Sequence, residues 1–166
     1  MCLIIDTNVL HCVFGRTRDD HKDFQPVLDW IDKGKGKMIY GGTKYKRELA
    51  GCSKDFIDML NKFNARRKIV KLPDKEVDHA EIEVKQIKEK LKVNDKDFND
   101  EHIVAIVRVS KCRVVCSADS SSFKFIKDKQ FYPRGINPPE IYTKEKNKNL
   151  LNDRAIVEVC KHALKK

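Results

Sequence analysis

Four carboxylates fall where this sequence could do chemistry. Asp6 closes the apolar run Cys2-Leu3-Ile4-Ile5, and Asp119 lies just past a second such run, Arg113-Val114-Val115-Cys116. Short, continuously apolar runs of this kind are strands buried on both faces of a parallel sheet, and ligands of such sheets bind beyond the carboxyl ends of the strands. Glu48 sits one to two turns into the helix expected after the strand Met38-Ile39-Tyr40, and Asp100 opens the helix before the 113–116 strand. Four carboxylates gathered at one edge repel one another unless a cation or a proton offsets the charge. All-oxygen, hard ligands suit Mg²⁺ or Mn²⁺, and an acidic pocket in a basic protein suits phosphodiester hydrolysis: the basic rim holds phosphate and the ion activates water.

Taken singly, each residue has a plainer role. Asp6 and Asp119 can cap the helices that follow them. Glu48 can be a solvated helix residue among Lys44, Lys46 and Arg47. Asp100 competes with Asp95, Asp97 and Glu101. What joins the four is their common placement at a sheet edge.

The elements that must position them alternate. Phe24, Val27, Leu28 and Ile31 mark one face of a helix ending near Gly34, and Thr43 is a candidate cap for the helix carrying Glu48. Phe56, Met59, Leu60 and Phe63 form a further helical face, and Ile69-Val70-Lys71-Leu72 reads as a third strand. The spacing of Val77, Ala80, Val84, Ile87 and Leu91 is the clearest amphipathic helix. A mostly buried helix follows Asp100, and another is expected over about 121–128. The stretch 129–149 is mainly loop, with Glu140-Ile141-Tyr142 as an edge strand, and a last helix runs through Ile156, Val157, Cys160 and Leu164. The alternation predicts one domain over 1–166, a three-layer α/β/α sandwich around a four- to five-stranded parallel sheet, with a C-terminal helix and basic tail at about 150–166.

Composition narrows the partner. Among 166 residues, 35 Lys and Arg against 25 Asp and Glu leave a net charge of +10, which favours a polyanion, nucleic acid before an anionic membrane surface. Charged residues make up 36% of the chain, against about 25% in ordinary domains. No apolar run approaches the ~20 residues of a membrane span, and Asp6 interrupts the N-terminal run before it could form a signal-peptide core. A soluble, cytoplasmic protein is expected. Basic clusters at 33–37, 44–47, 66–68 and 144–148 can follow a phosphate backbone or simply solvate the surface; Lys44, Lys46 and Arg47 are favoured for RNA because they share a helix with Glu48. The six cysteines show no C-x-x-C pair and sit mostly in apolar segments, so reduced core thiols are expected, with neither a disulfide framework nor a zinc site. Trp30, Phe123 and Phe125 read as packing residues.

The opening Leu-Ile-Ile-Asp-Thr-Asn, the Glu of Lys-Arg-Glu-Leu-Ala, the Asp of Asn-Asp-Glu-His-Ile-Val-Ala and the Ser-Ala-Asp after Val-Val-Cys together resemble the PIN-domain nucleases over residues 2 to about 142. The resemblance implies Mg²⁺- or Mn²⁺-dependent cleavage of RNA, with Asp6, Glu48, Asp100 and Asp119 as catalytic metal ligands and helper roles for Ser117 and Asn8. For a small basic chain it implies a toxin or an RNA-processing nuclease, with an antitoxin or other protein as partner and room for a homodimer. Many members of that family carry another Asp where this chain has Ser121, which bears on whether one or two ions bind. Two other readings stand beside it. One is a catalytically weak PIN-like module that binds RNA or protein. The other is an unrelated phosphohydrolase using Asp6 as nucleophile, a class that usually wants a second Asp where Asn8 stands.

Overall fold

The computed structural model describes residues 2–15, 19–152 and 157–162. Strand β1 (Cys2–Ile5) leads through a 3-10 turn (Thr7–Val9) into helices α1 (Leu10–Phe14) and α2 (His21–Asp32), then strand β2 (Lys37–Tyr40). Helices α3 (Thr43–Ala50) and α4 (Lys54–Ala65) lead to β3 (Ile69–Lys71), and α5 (Asp74–Lys90) and α6 (Glu101–Ser110) lead to β4 (Val114–Cys116). Helix α7 (Phe123–Ile126), a 3-10 turn (Lys129–Phe131), β5 (Glu140–Tyr142), a 3-10 helix (Glu145–Leu150) and α8 (Glu158–His162) complete the order.

All five strands are parallel, in the order β3-β2-β1-β4-β5. Because β1, β2 and β4 are buried at every position, helices must cover both faces. Right-handed crossovers put the helices leading to β2 and β3 on one face, and those leading to β4 and β5 on the other. The aromatic packing agrees: Phe14 of α1 meets Phe56 and Phe63 of α4, whereas Phe98, before α6, meets Phe125 of α7 and Phe131. The molecule is therefore a three-layer α/β/α sandwich with a single apolar core cluster running through both helix layers. The chain leaves β1 for β2 on one side and β4 lies on its other side, so the β1/β4 boundary is the topological switch point, where a crevice opens beyond the strand ends.

Several local expectations change. Thr43 does not cap α3 by itself. Gly42, at φ +86°, occupies the cap position, and the free amides of Gly42 and Thr43 donate to Asp74 and Asp78 of α5 at 3.1 and 2.7 Å. Gly42 is required twice, by its left-handed backbone and because a Cβ there would come within 2.7 Å of Val77. Helix α7 is shorter than expected and starts after the serines that follow Asp119. Cys2 and Cys160 form a disulfide between β1 and α8, contrary to the expectation of six reduced thiols; Cys12, Cys52, Cys112 and Cys116 take part in no disulfide among the described residues. The expected helical positions Ile156 and Leu164 and the basic tail from 163 lie outside the described residues. Among the described residues no helix is long and apolar enough to cross a membrane. Trp30 is partly buried against the core, and a Cβ on Gly36, just before β2, would strike its ring, which places it at the amino edge of the sheet.

Candidate functional site

The site is assembled at the carboxyl ends of β1 and β4. The Asp6 amide donates to the Cys116 carbonyl at 2.8 Å, which carries the sheet pairing one residue past the strands. Asp6 is only 2% exposed, and Ser117, wholly buried on the β4 side, donates its hydroxyl to Asp6 Oδ2 at 2.8 Å across the switch point. Asn8 Nδ2 donates to the same oxygen at 2.9 Å, and the Asn8 backbone amide reaches Oδ1 at 3.4 Å, so Asp6 also caps the 3-10 turn. The capping role and a ligand role are thus compatible.

The other carboxylates are tied to this centre through hydroxyls. Ser117 Oγ accepts the Asp119 amide at 3.2 Å. Ser122 Oγ lies 2.5 Å from Asp100 Oδ2 and 2.9 Å from Asp119 Oδ2, so those two oxygens are separated by one serine hydroxyl. Thr7, next to Asp6, donates to Glu48 Oε2 at 2.6 Å. Glu48 is brought here by Tyr45, one turn earlier on α3, which is fully buried and donates its phenol to the Ile5 carbonyl at the end of β1. All six residues singled out from the sequence, Asp6, Asn8, Glu48, Asp100, Ser117 and Asp119, therefore stand at one edge.

Electrostatics separate their states. Burial, and next the charge of Asp100, push the Asp6 carboxyl up to about 6, against the downward pull of the Ser117 and Asn8 hydrogen bonds. Burial also works against ionised Glu48, but His102 and the Thr7 hydroxyl outweigh it and hold the group below its ordinary range. Asp119 is held low chiefly by Ser121, whose hydroxyl and amide both donate to Oδ1, at 2.5 and 3.0 Å. Among the described residues, no lysine or arginine forms an ion pair with Asp6, Asp100 or Asp119.

Four contributors escaped the sequence reading. Thr7 and Ser122 carry the hydroxyls that link the carboxylates, and Tyr45 is the anchor of α3. His102 is 2% exposed; its Nε2 lies 3.4 Å from Glu48 Oε2, and among the described residues neither ring nitrogen has a hydrogen-bond partner. In the sequence it is only the last polar residue before the apolar run Ile103–Val107, next to Asp100 and Glu101. The basic residues expected to meet RNA are partly engaged. Lys44 donates to the Asn99 carbonyl and lies 3.7 Å from Glu101, Lys46 pairs with Asp74, and Arg47 shares a shallow cleft with Lys44, Asp78 and Glu81.

The donor set of Asp6, Glu48, Asp100 and Asp119 is all oxygen, the chemistry a hard divalent ion prefers, and Asp6, Asp100 and Asp119 pair with no lysine or arginine among the described residues, yet no three of the four bring their oxygens within 4.8 Å of one another. His11, Cys12 and Asp20 form a separate group of mixed donors, all within 4.8 Å of one another, with the Cys12 thiol 3.1 Å from Asp20. Fold and site together define the class, a doubly wound α/β sandwich with an acidic cluster at its switch point. No family model, curated protein or solved structure matches the chain.

Proposed function

We propose that this protein is a divalent-metal-dependent ribonuclease that hydrolyses RNA phosphodiester bonds at the β1/β4 switch point. One observation carries the reading: buried Asp6, crowded by Asp100 and surrounded by hydrogen-bond donors, pairs with no lysine or arginine among the described residues, and His102 offsets only part of its charge. Structural ion pairs bring their own cation, whereas a cluster that omits one leaves the charge to be met by a ligand.

Asp6, Glu48, Asp100 and Asp119 would hold Mg²⁺ or Mn²⁺, and the bound ion would supply Lewis acidity toward the phosphodiester and water. Ser117 and Asn8 orient the Asp6 carboxylate, Thr7 orients Glu48, and Ser122 sets the separation of Asp100 from Asp119. The net charge of +10 draws the polyanionic strand toward this acidic centre. A second reading, a weakly catalytic RNA- or protein-binding module, draws support from Ser121, which occupies Asp119 Oδ1 with two hydrogen bonds. Divalent-metal binding separates the two. The deciding experiment is cleavage of labelled RNA by purified protein with Mn²⁺ and with chelator. Cutting that requires the metal supports the nuclease reading, and RNA binding without metal uptake or cutting supports the module.

A further inference from the structure

Beside the acidic cluster lies a cavity of about 460 Å³ that the reading above does not use. Phe14, Phe56 and Met59 form its apolar walls, and Thr7, His11 and Cys52 bring polar atoms to it. We propose that it receives one unpaired nucleobase of the RNA strand, next to the phosphate that faces the carboxylates. This rests on the ribonuclease reading and adds a substrate class, single-stranded RNA.

Position is the first argument. Thr7 belongs to both places: it lines the cavity, and its hydroxyl donates to Glu48 at 2.6 Å. Cys52, also in the wall, places its thiol 3.7 Å from the Glu48 carbonyl. The cavity thus begins one side chain from the cluster, about where a base attached to a bound phosphate has to go. Its chemistry is the second argument. Phe14 is braced by tilted contacts to Phe56 at 5.4 Å and Phe63 at 5.9 Å, and remains only partly buried while lining the cavity. An aromatic surface with a few hydrogen-bonding groups at its border is how proteins hold splayed bases, because every base has a face to stack and an edge to satisfy. The third argument is charge. A chain of +10 draws a polyanion to the adjoining site, so the ligand entering beside it is a part of that polyanion, and the apolar part of RNA is its base. A base held in a duplex cannot enter, so paired RNA is excluded.

The test uses short single-stranded RNAs carrying one abasic nucleotide at each position in turn, cleaved by the full chain with Mn²⁺. An abasic residue at one position beside the cut should lower kcat/KM about tenfold or more, and elsewhere should have little effect. Met59→Trp, which fills the cavity without touching the carboxylates, should lose the same factor on intact RNA and cleave the abasic RNA as the unaltered protein does; its melting curve checks folding. A metal-free arm follows alkylation of Cys52 by iodoacetamide, which a nucleoside 5′-monophosphate should slow and ribose 5-phosphate should not. Metal-dependent cutting with no position sensitive to base removal overturns the pocket and leaves the nuclease reading standing. Protection by the nucleoside monophosphate without any cutting removes the nuclease reading and keeps the base site. Neither cutting nor protection overturns both.

Discussion

The two edges of the sheet each bury a charged side chain among like charges, and they treat it differently. At the carboxyl edge Asp6 is crowded by Asp100, and burial raises its pKa to about 6. At the amino edge Lys37 opens β2, 6% exposed, and burial followed by the charges of Lys68 and Arg67 lowers its pKa. Asp6 accepts bonds from Ser117 and Asn8, arranged around both oxygens, whereas Lys37 Nζ has no hydrogen-bond partner among the described residues. Burial and a shifted titration are common to both edges. The surrounding donors are what distinguish a group kept ready for a ligand from one that is merely covered, since only the first is oriented at the cost of fixing several other side chains.

The largest effect expected is on activity. Asp6→Asn keeps the cap and the side-chain size and removes the charge that holds the ion, so Mn²⁺-dependent cleavage of labelled RNA should fall below detection while RNA affinity in chelator, read by filter binding, is retained or rises. Undiminished cleavage would reduce Asp6 to the same standing as Lys37.

A third buried charge sharpens the contrast on stability. Lys88 of α5 is 4% exposed and is fully compensated, by Glu101, the Phe98 carbonyl and Asp95. Lys88→Met should destabilise the fold by roughly 2–4 kcal/mol in urea denaturation, because it leaves the buried Glu101 carboxylate with only the more distant Lys44, at 3.7 Å, to offset it. A loss under about 1 kcal/mol would mean that Glu101 finds water, and that compensation matters less here than geometry suggests.

The pH dependence follows from the raised pKa of Asp6. The folded state binds this proton more tightly than an ordinary carboxyl of 3.8 would, so the stabilisation from protonated Asp6 is complete below about pH 4 and is lost as pH rises through about 6. The loss amounts to about 3 kcal/mol in metal-free buffer. Melting temperatures between pH 4 and 7.5 should show it for the unaltered chain and not for Asp6→Asn, and Mn²⁺ should restore the loss at pH 7.5. At the other edge Lys37→Met should be stabilising by roughly 1 kcal/mol at pH 7, the smallest effect, since it removes a buried ammonium that nothing satisfies. A destabilised Lys37→Met would reveal a partner for that ammonium and bring the two edges closer in kind.

The fold was legible because buried parallel strands leave short apolar runs, which β1, β2 and β4 did, while the edge strands β3 and β5, partly exposed, left only two apolar residues each beside a charged one. That the six candidate residues would meet at one edge was legible from their positions relative to those runs. Less visible was anything that depends on contact between distant segments. Thr43 looks like a cap by type, yet the amides at the start of α3 are met from α5 by Asp74 and Asp78. Lys44 and Lys46 look free for phosphate, yet Glu101, Asn99 and Asp74 claim them. Ser122 looks like a helix residue, yet its hydroxyl serves two carboxylates. His102 was hidden because it ends the polar stretch Asn99-Asp100-Glu101 just before the apolar run, so nothing sets it apart until its neighbour, Glu48, is known.

The bond between Cys2 and Cys160, 158 positions apart, gives the oxidised chain the connectivity of a loop. A single proteolytic nick within that loop leaves one covalent molecule, which separates into two pieces only after reduction. Pulling on the two ends loads the crosslink before the sheet, and an unfolding machine that starts at either end must draw two strands through its pore together once it reaches the bond.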